Sequence, residues 1–130
     1  MLTNNLLVLK KATFSLAIGW TVLIAVLCLV KFGSLPSLGV SGADKYVHIT
    51  FHFGFVLLWG FYFWQRQIEI LIPKIIRLVV ISIFYGLLIE FLQETCTTTR
   101  HADIFDVLAN ITGATTALLV FVFIKKSKSS

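Results

Sequence analysis

The sequence predicts an all-α polytopic membrane protein, a bundle of four transmembrane helices with both termini on the cytoplasmic side. Three observations carry this. Apolar residues make up 58% of the 130-residue chain and charged residues only 13%, against about 45–50% and about 25% in soluble domains. The apolar residues gather into four runs, each close to the roughly 20 residues that cross about 30 Å of hydrocarbon. The basic residues sit in the short segments between those runs. So few charges cannot cover a soluble globule of this size, which excludes a cytosolic enzyme, a disordered chain and a free nucleic-acid-binding protein. The net charge of +5 then reads as membrane orientation and lipid-surface contact. Residues 1–130 form one domain.

The first helix is expected over about 12–30, bracketed by Lys10, Lys11 and Lys31. Its apolar run exceeds the roughly 7–15 residues of a signal-peptide core, and no A-x-A cleavage pattern follows it. Leu27, ahead of Cys28, is too large for a lipoprotein cleavage site, so the run reads as a retained helix. The second helix, about 46–64, holds His48 and His52. The third, about 75–92, begins past Pro73 and Lys74, with Arg77 one turn inside. The fourth, about 104–124, stops at Lys125 and Lys126. Connections this short make sequential neighbours antiparallel. Cys28 and Cys96 have no metal-type spacing and support no disulfide.

Basic residues set the direction. One side carries Lys10, Lys11, Arg66, Lys74, Arg77, Lys125, Lys126 and Lys128, the other only Lys31, Lys45 and Arg100. That bias places the first side in the cytoplasm. Trp59, Tyr62 and Trp64 crowd the same end of the second helix, as an interfacial belt would.

The unusual polar residues then collect at the outer end. Helical spacing places Asp44, His48 and His52 on one stripe, Gly86, Glu90 and Gln93 or Glu94 on another, and Asp103, Asp106, Asn110 and Gly113 on a third. Three stripes at one depth, on helices that must pack together, can meet in one outward-opening pocket. Structural readings stand beside this one. Ser41 and Asp44 resemble a capping box, and Asp103 with Asp106 reads the same way. Lys45 and Arg100 can neutralise the acids or touch headgroups. Gly86 suits close packing, and Ala109, Gly113 and Ala117 form a small-xxx-small seam.

Glu90 and the histidines resist such explanations better. Glu90 lies in the last turns of its helix, where the macrodipole disfavours a negative charge. An ionisable group within the bilayer costs at least about 2.5–3.5 kcal/mol unless it is paired or wetted. Toward the inner side the helices turn almost wholly apolar, which argues against a channel or proton-coupled pump and favours a one-sided pocket.

At these residues the chain resembles the VanZ-like family of small bacterial membrane proteins. The family's Asp-Lys pair followed by His is present as Asp44-Lys45-Tyr46-Val47-His48. Its Tyr-Gly…Glu…Gln helix is present as Tyr85-Gly86, Glu90 and Gln93. Its closing Arg, two Asp, Asn and Gly are present as Arg100, Asp103, Asp106, Asn110 and Gly113, with Ala117 where the family often has Gly. His52 stands outside the pattern. The resemblance implies a multi-pass protein of the bacterial cytoplasmic membrane. It also implies an association with low-level resistance to teicoplanin, a glycopeptide that binds wall precursors outside that membrane.

Three functions fit. In the first, the pocket binds a cell-envelope lipid, a lipid-linked wall intermediate or a lipoglycopeptide. Arg100 and Lys45 would engage phosphate or carboxylate, and Asp44, His48, Glu90, Gln93, Asp103, Asp106 and Asn110 would hydrogen-bond the head. In the second, His48 with Glu90 or Asp106 performs acid–base catalysis on an envelope lipid or peptide, or His48, His52, Glu90 and an Asp hold a divalent metal. In the third, the cluster is a helix clamp with no ligand. No cofactor other than such a metal is implied, membrane lipids are the expected partners, and the oligomeric state is open.

Overall fold

The computed structural model describes residues 2–30, 42–66, 72–98 and 101–130. They form α1 (Leu2–Leu29), α2 (Ala43–Trp64), α3 (Ile72–Cys96) and α4 (Ile104–Ser129). Each is long and apolar enough to cross a membrane, so the chain is an all-α, multi-pass membrane protein.

The helices extend beyond the runs expected from hydropathy, and each extension has a local cause. α1 begins at Leu2 rather than near Ala12, because Lys10 and Lys11 mark where hydrocarbon ends, not where helical backbone must end. No Gly or Pro interrupts Thr3 to Leu9, and 28 residues give a rod of about 42 Å, longer than the hydrocarbon is thick. α3 starts at Ile72, with Pro73 in the first turn, where its missing N–H is harmless. α4 runs on to Ser129, its last turn carrying Lys126 and Lys128, cations that suit a helix C-terminus. α2 starts at Ala43, after Gly42 at φ 80°, a left-handed turn with no side-chain cap. The capping box expected from Ser41 lies outside the described residues.

α2 and α3 form the centre of the bundle, α1 and α4 flank it, and the contact between α2 and α4 is the most extensive. That contact is built on small residues. Ala109, Gly113 and Ala117 are buried, and a Cβ on Gly113 would overlap the Ile49 carbonyl of α2. Backbones approach this closely only where one of them lacks a side chain. Gly60 likewise receives the Phe121 ring, and Gly54 the Trp20 indole.

Polar groups tie α1 to the centre. Trp20 Nε1 donates to the Phe51 carbonyl at 2.9 Å, Trp59 Nε1 to Thr21 Oγ1 at 3.1 Å, and the Tyr85 hydroxyl to the Thr21 carbonyl at 2.6 Å. In lipid, where apolar burial drives little association, such bonds and close packing hold helices together. The outward faces stay apolar, with Leu16, Val80, Phe84 and Leu119 exposed to the surroundings.

Candidate polar site at one end of the bundle

The start of α2, the end of α3 and the start of α4 meet at one end. Lys45 is their hub. Its ammonium donates to Asp44 Oδ2 at 2.7 Å, to Asp103 Oδ2 at 2.5 Å and to Asp106 Oδ1 at 2.5 Å. An ammonium has three protons, and all three are taken. Lys45 is therefore not the free cation that a phosphate contact needs. It fastens α2 to α4.

Asp103 serves two ends at once. It is the N-cap of α4, its Oδ1 accepting from the Phe105 N–H at 2.8 Å, while its other oxygen meets Lys45. The Lys45 ammonium, helped by the Phe105 N–H, holds the Asp103 carboxyl below its ordinary pKa. The capping reading of this residue holds, and the same carboxylate meets Lys45.

Beneath Lys45 lies a second, buried layer. His48 Nδ1 meets Asn110 Oδ1 at 3.0 Å, and its Nε2 lies 3.6 Å from Asp106 Oδ2. With Asn110 Oδ1 as acceptor, Nδ1 carries the proton and Nε2 presents its lone pair. Gly86 makes room for this arrangement, since a Cβ there would sit 2.5 Å from Asn110 Nδ2 and 3.0 Å from His52 Cε1. Glu90 is only 4% exposed. Its Oε2 accepts from the Asp103 N–H at 3.1 Å, and its buried Oε1 has no hydrogen-bond partner among the described residues. His48, Glu90 and Asp106 each present one ligand-type atom within 4.8 Å of the others.

A cavity of about 300 Å³ opens here, lined by Asp44, His48, Gln93, His101, Asp103 and Asp106. Gln93 also donates to the Cys28 carbonyl at 2.9 Å, which draws α1 to the site. Glu94 accepts from the Ala102 N–H at 2.7 Å and lies 3.5 Å from His101 Nδ1, so it orders the approach to α4.

The structure thus brings together Asp44, Lys45, His48, Glu90, Gln93, Asp103, Asp106 and Asn110. Arg100 lies outside the described residues. His52 is not gathered with His48 and Glu90. It sits a turn deeper, its Nδ1 2.8 Å from Ser82 Oγ. Of the expected set of two histidines, Glu90 and an Asp, the Asp is Asp106, which arrives from a facing helix at the depth of His48. Ser82 was missed, although Ser82, Gly86 and Glu90 share one helical stripe and could have been found by that spacing.

The fold and this cluster define a class, a small four-helix membrane protein with an ionisable pocket at one end of its bundle. The family model described as VanZ/LLP1 matches residues 5–125, and the chain belongs to that family. No curated protein and no solved structure matches it.

Proposed function

We propose that the pocket holds the polar head of a cell-envelope lipid, a lipid-linked wall intermediate or a lipoglycopeptide, in a role related to glycopeptide resistance. One observation carries the reading. The polar cavity lies on helix ends whose intervening residues Tyr46, Phe91, Ile104 and Phe105 are exposed and apolar. A head can enter the cavity while its chain rests on those residues. Among the described residues Lys45 is consumed and carboxylates prevail, so the head is one rich in donors, such as sugar hydroxyls, amide N–H groups or an amine.

The pocket faces the outside of the cytoplasmic membrane, on the argument from lysine and arginine distribution. Cys96 is exposed at this end and Cys28 is buried. In a Cys28→Ser background, a membrane-impermeant maleimide should label Cys96 in intact spheroplasts. Labelling only after the membrane is opened would reverse the orientation.

Head binding is tested by lipid mass spectrometry on protein purified in mild detergent. The wild type should retain an envelope lipid, and Asp44→Asn combined with His101→Ala should retain several-fold less. Equal retention by both proteins, or none by either, counts against the proposal. His48, with Nδ1 held by Asn110 and Nε2 turned toward Asp106, also supports an acid–base enzyme reading. Conversion of the retained lipid during incubation would favour that reading over binding alone.

A further inference from the structure

We infer that His48, Glu90 and Asp106 form a binding site for one divalent transition-metal ion, of which zinc is the type. The inference deepens the proposal above and rests on reading this end as a binding pocket. All three residues are more than nine-tenths buried, and each has one polar atom committed and one left over. His48 commits Nδ1 to Asn110 and leaves Nε2. Asp106 commits Oδ1 to Lys45 and leaves Oδ2 near His48. Glu90 commits Oε2 to the Asp103 N–H and leaves Oε1 without a partner among the described residues. Two of the leftover atoms, His48 Nε2 and Asp106 Oδ2, lie 3.6 Å apart, and Glu90 places a carboxylate oxygen in the same group.

This is the division of labour that metal ligands show, one atom on the ion and the other held by an outer partner that fixes its aim. A neutral imidazole and two carboxylates suit zinc, and their charge matches a divalent ion. Zinc with bonds of about 2.0–2.2 Å spaces its tetrahedral ligands roughly 3.3–3.6 Å apart. The His48–Asp106 edge already measures 3.6 Å, and one ligand-type atom of each of the three residues lies within 4.8 Å of the others. Binding asks only for Glu90 to draw in. His48 and Asp106 also line the cavity, so the ion's remaining position opens toward the bound head.

The neighbouring group of Asp44, Asp103 and Asp106 is no rival, because the Lys45 ammonium bonds all three and occupies its centre. Asp44 and Asp103 also offset the repulsion of that ammonium for an ion held beyond Asp106.

The test uses the full chain in detergent, stripped with chelator and titrated with Zn²⁺ alone. Elemental analysis after desalting should give one zinc per chain, and the ion should raise the Tm. Glu90→Gln and His48→Ala should each weaken zinc binding about tenfold or more, at least what loss of an outer partner costs. Glu90→Gln should melt no lower than the metal-free wild type, since it keeps the side chain's size and an oxygen to accept from the Asp103 N–H, so its lost response is not misfolding. Absence of zinc from the wild type, or wild-type affinity in Glu90→Gln, overturns the inference. The titration contains no envelope lipid, so its failure leaves lipid retention to be judged by itself. Zinc binding without lipid retention would remove the head-binding reading and keep the ion.

Discussion

Gly113→Ala is expected to lower the stability of the bundle by about 3 kcal/mol, at the upper end of the range for overpacked cores. The new methyl would overlap the Ile49 carbonyl oxygen and crowd the Ile49 carbonyl carbon and the Phe53 nitrogen, which lie 2.9 and 3.0 Å from its position. All three are backbone atoms of α2, and no rotamer change moves them aside. Relief requires α2 and α4 to separate along their whole seam, where Ala109, Ala114 and Ala117 are buried. Separation would also part Lys45 and His48 from Asp103, Asp106 and Asn110. Gly19→Ala is the control, since a Cβ there meets nothing within 4 Å. It should be neutral or stabilising by up to about 1 kcal/mol through helix propensity. Reversible unfolding in mixed micelles measures both, and a Gly113→Ala protein as stable as the wild type would refute the argument.

The second large effect is expected from Lys45→Met, which leaves three aspartates facing one another without their shared cation. Most of the loss, about 2 kcal/mol, falls on the pair with Asp106, whose side chain is only 11% exposed, and the more exposed Asp44 and Asp103 add little. Adding Asp106→Asn should restore part of the stability, and the double-mutant cycle reads out the coupling. A Lys45→Met protein as stable as the wild type at neutral pH would show that the ion pairs hold nothing together. Acidification acts in the same direction. The folded pKa of Asp103 is depressed, so its contribution is complete above the unfolded carboxylate value and fades as the pH falls through the lowered one.

The membrane class and the number of helices were legible because hydrocarbon imposes its thickness on sequence. The helix ends were not, because the bilayer's edge and the helix's edge differ wherever no Gly or Pro intervenes, as from Leu2 to Leu9. The polar site was legible as three stripes, and Glu90 stood out as a carboxylate at the unfavourable end of a helix. Which residues would meet was harder to read. His52 shares a face with His48, but one turn along the axis, about 6 Å, puts it beside Ser82. Asp106 reaches His48 only through the close approach that Gly113 permits. For Lys45 the sequence left two readings, an anion contact or neutralisation of the nearby acids, and the three carboxylates placed around it match the second. α1 carried no motif, yet its Cys28 carbonyl anchors Gln93, because a backbone acceptor leaves no mark in the sequence.

The clustering of partners on α4 bears on how the protein is made. Asp103, Asp106 and Asn110 follow the rest of the cluster in the chain, so Lys45, with Asp44 as its one earlier carboxylate partner among the described residues, enters the bilayer with His48 and Glu90 before their α4 partners exist. Until α4 leaves the ribosome, those side chains lack the partners it carries. Arrival of α4 therefore completes the pocket and relieves the strain of biogenesis in a single event.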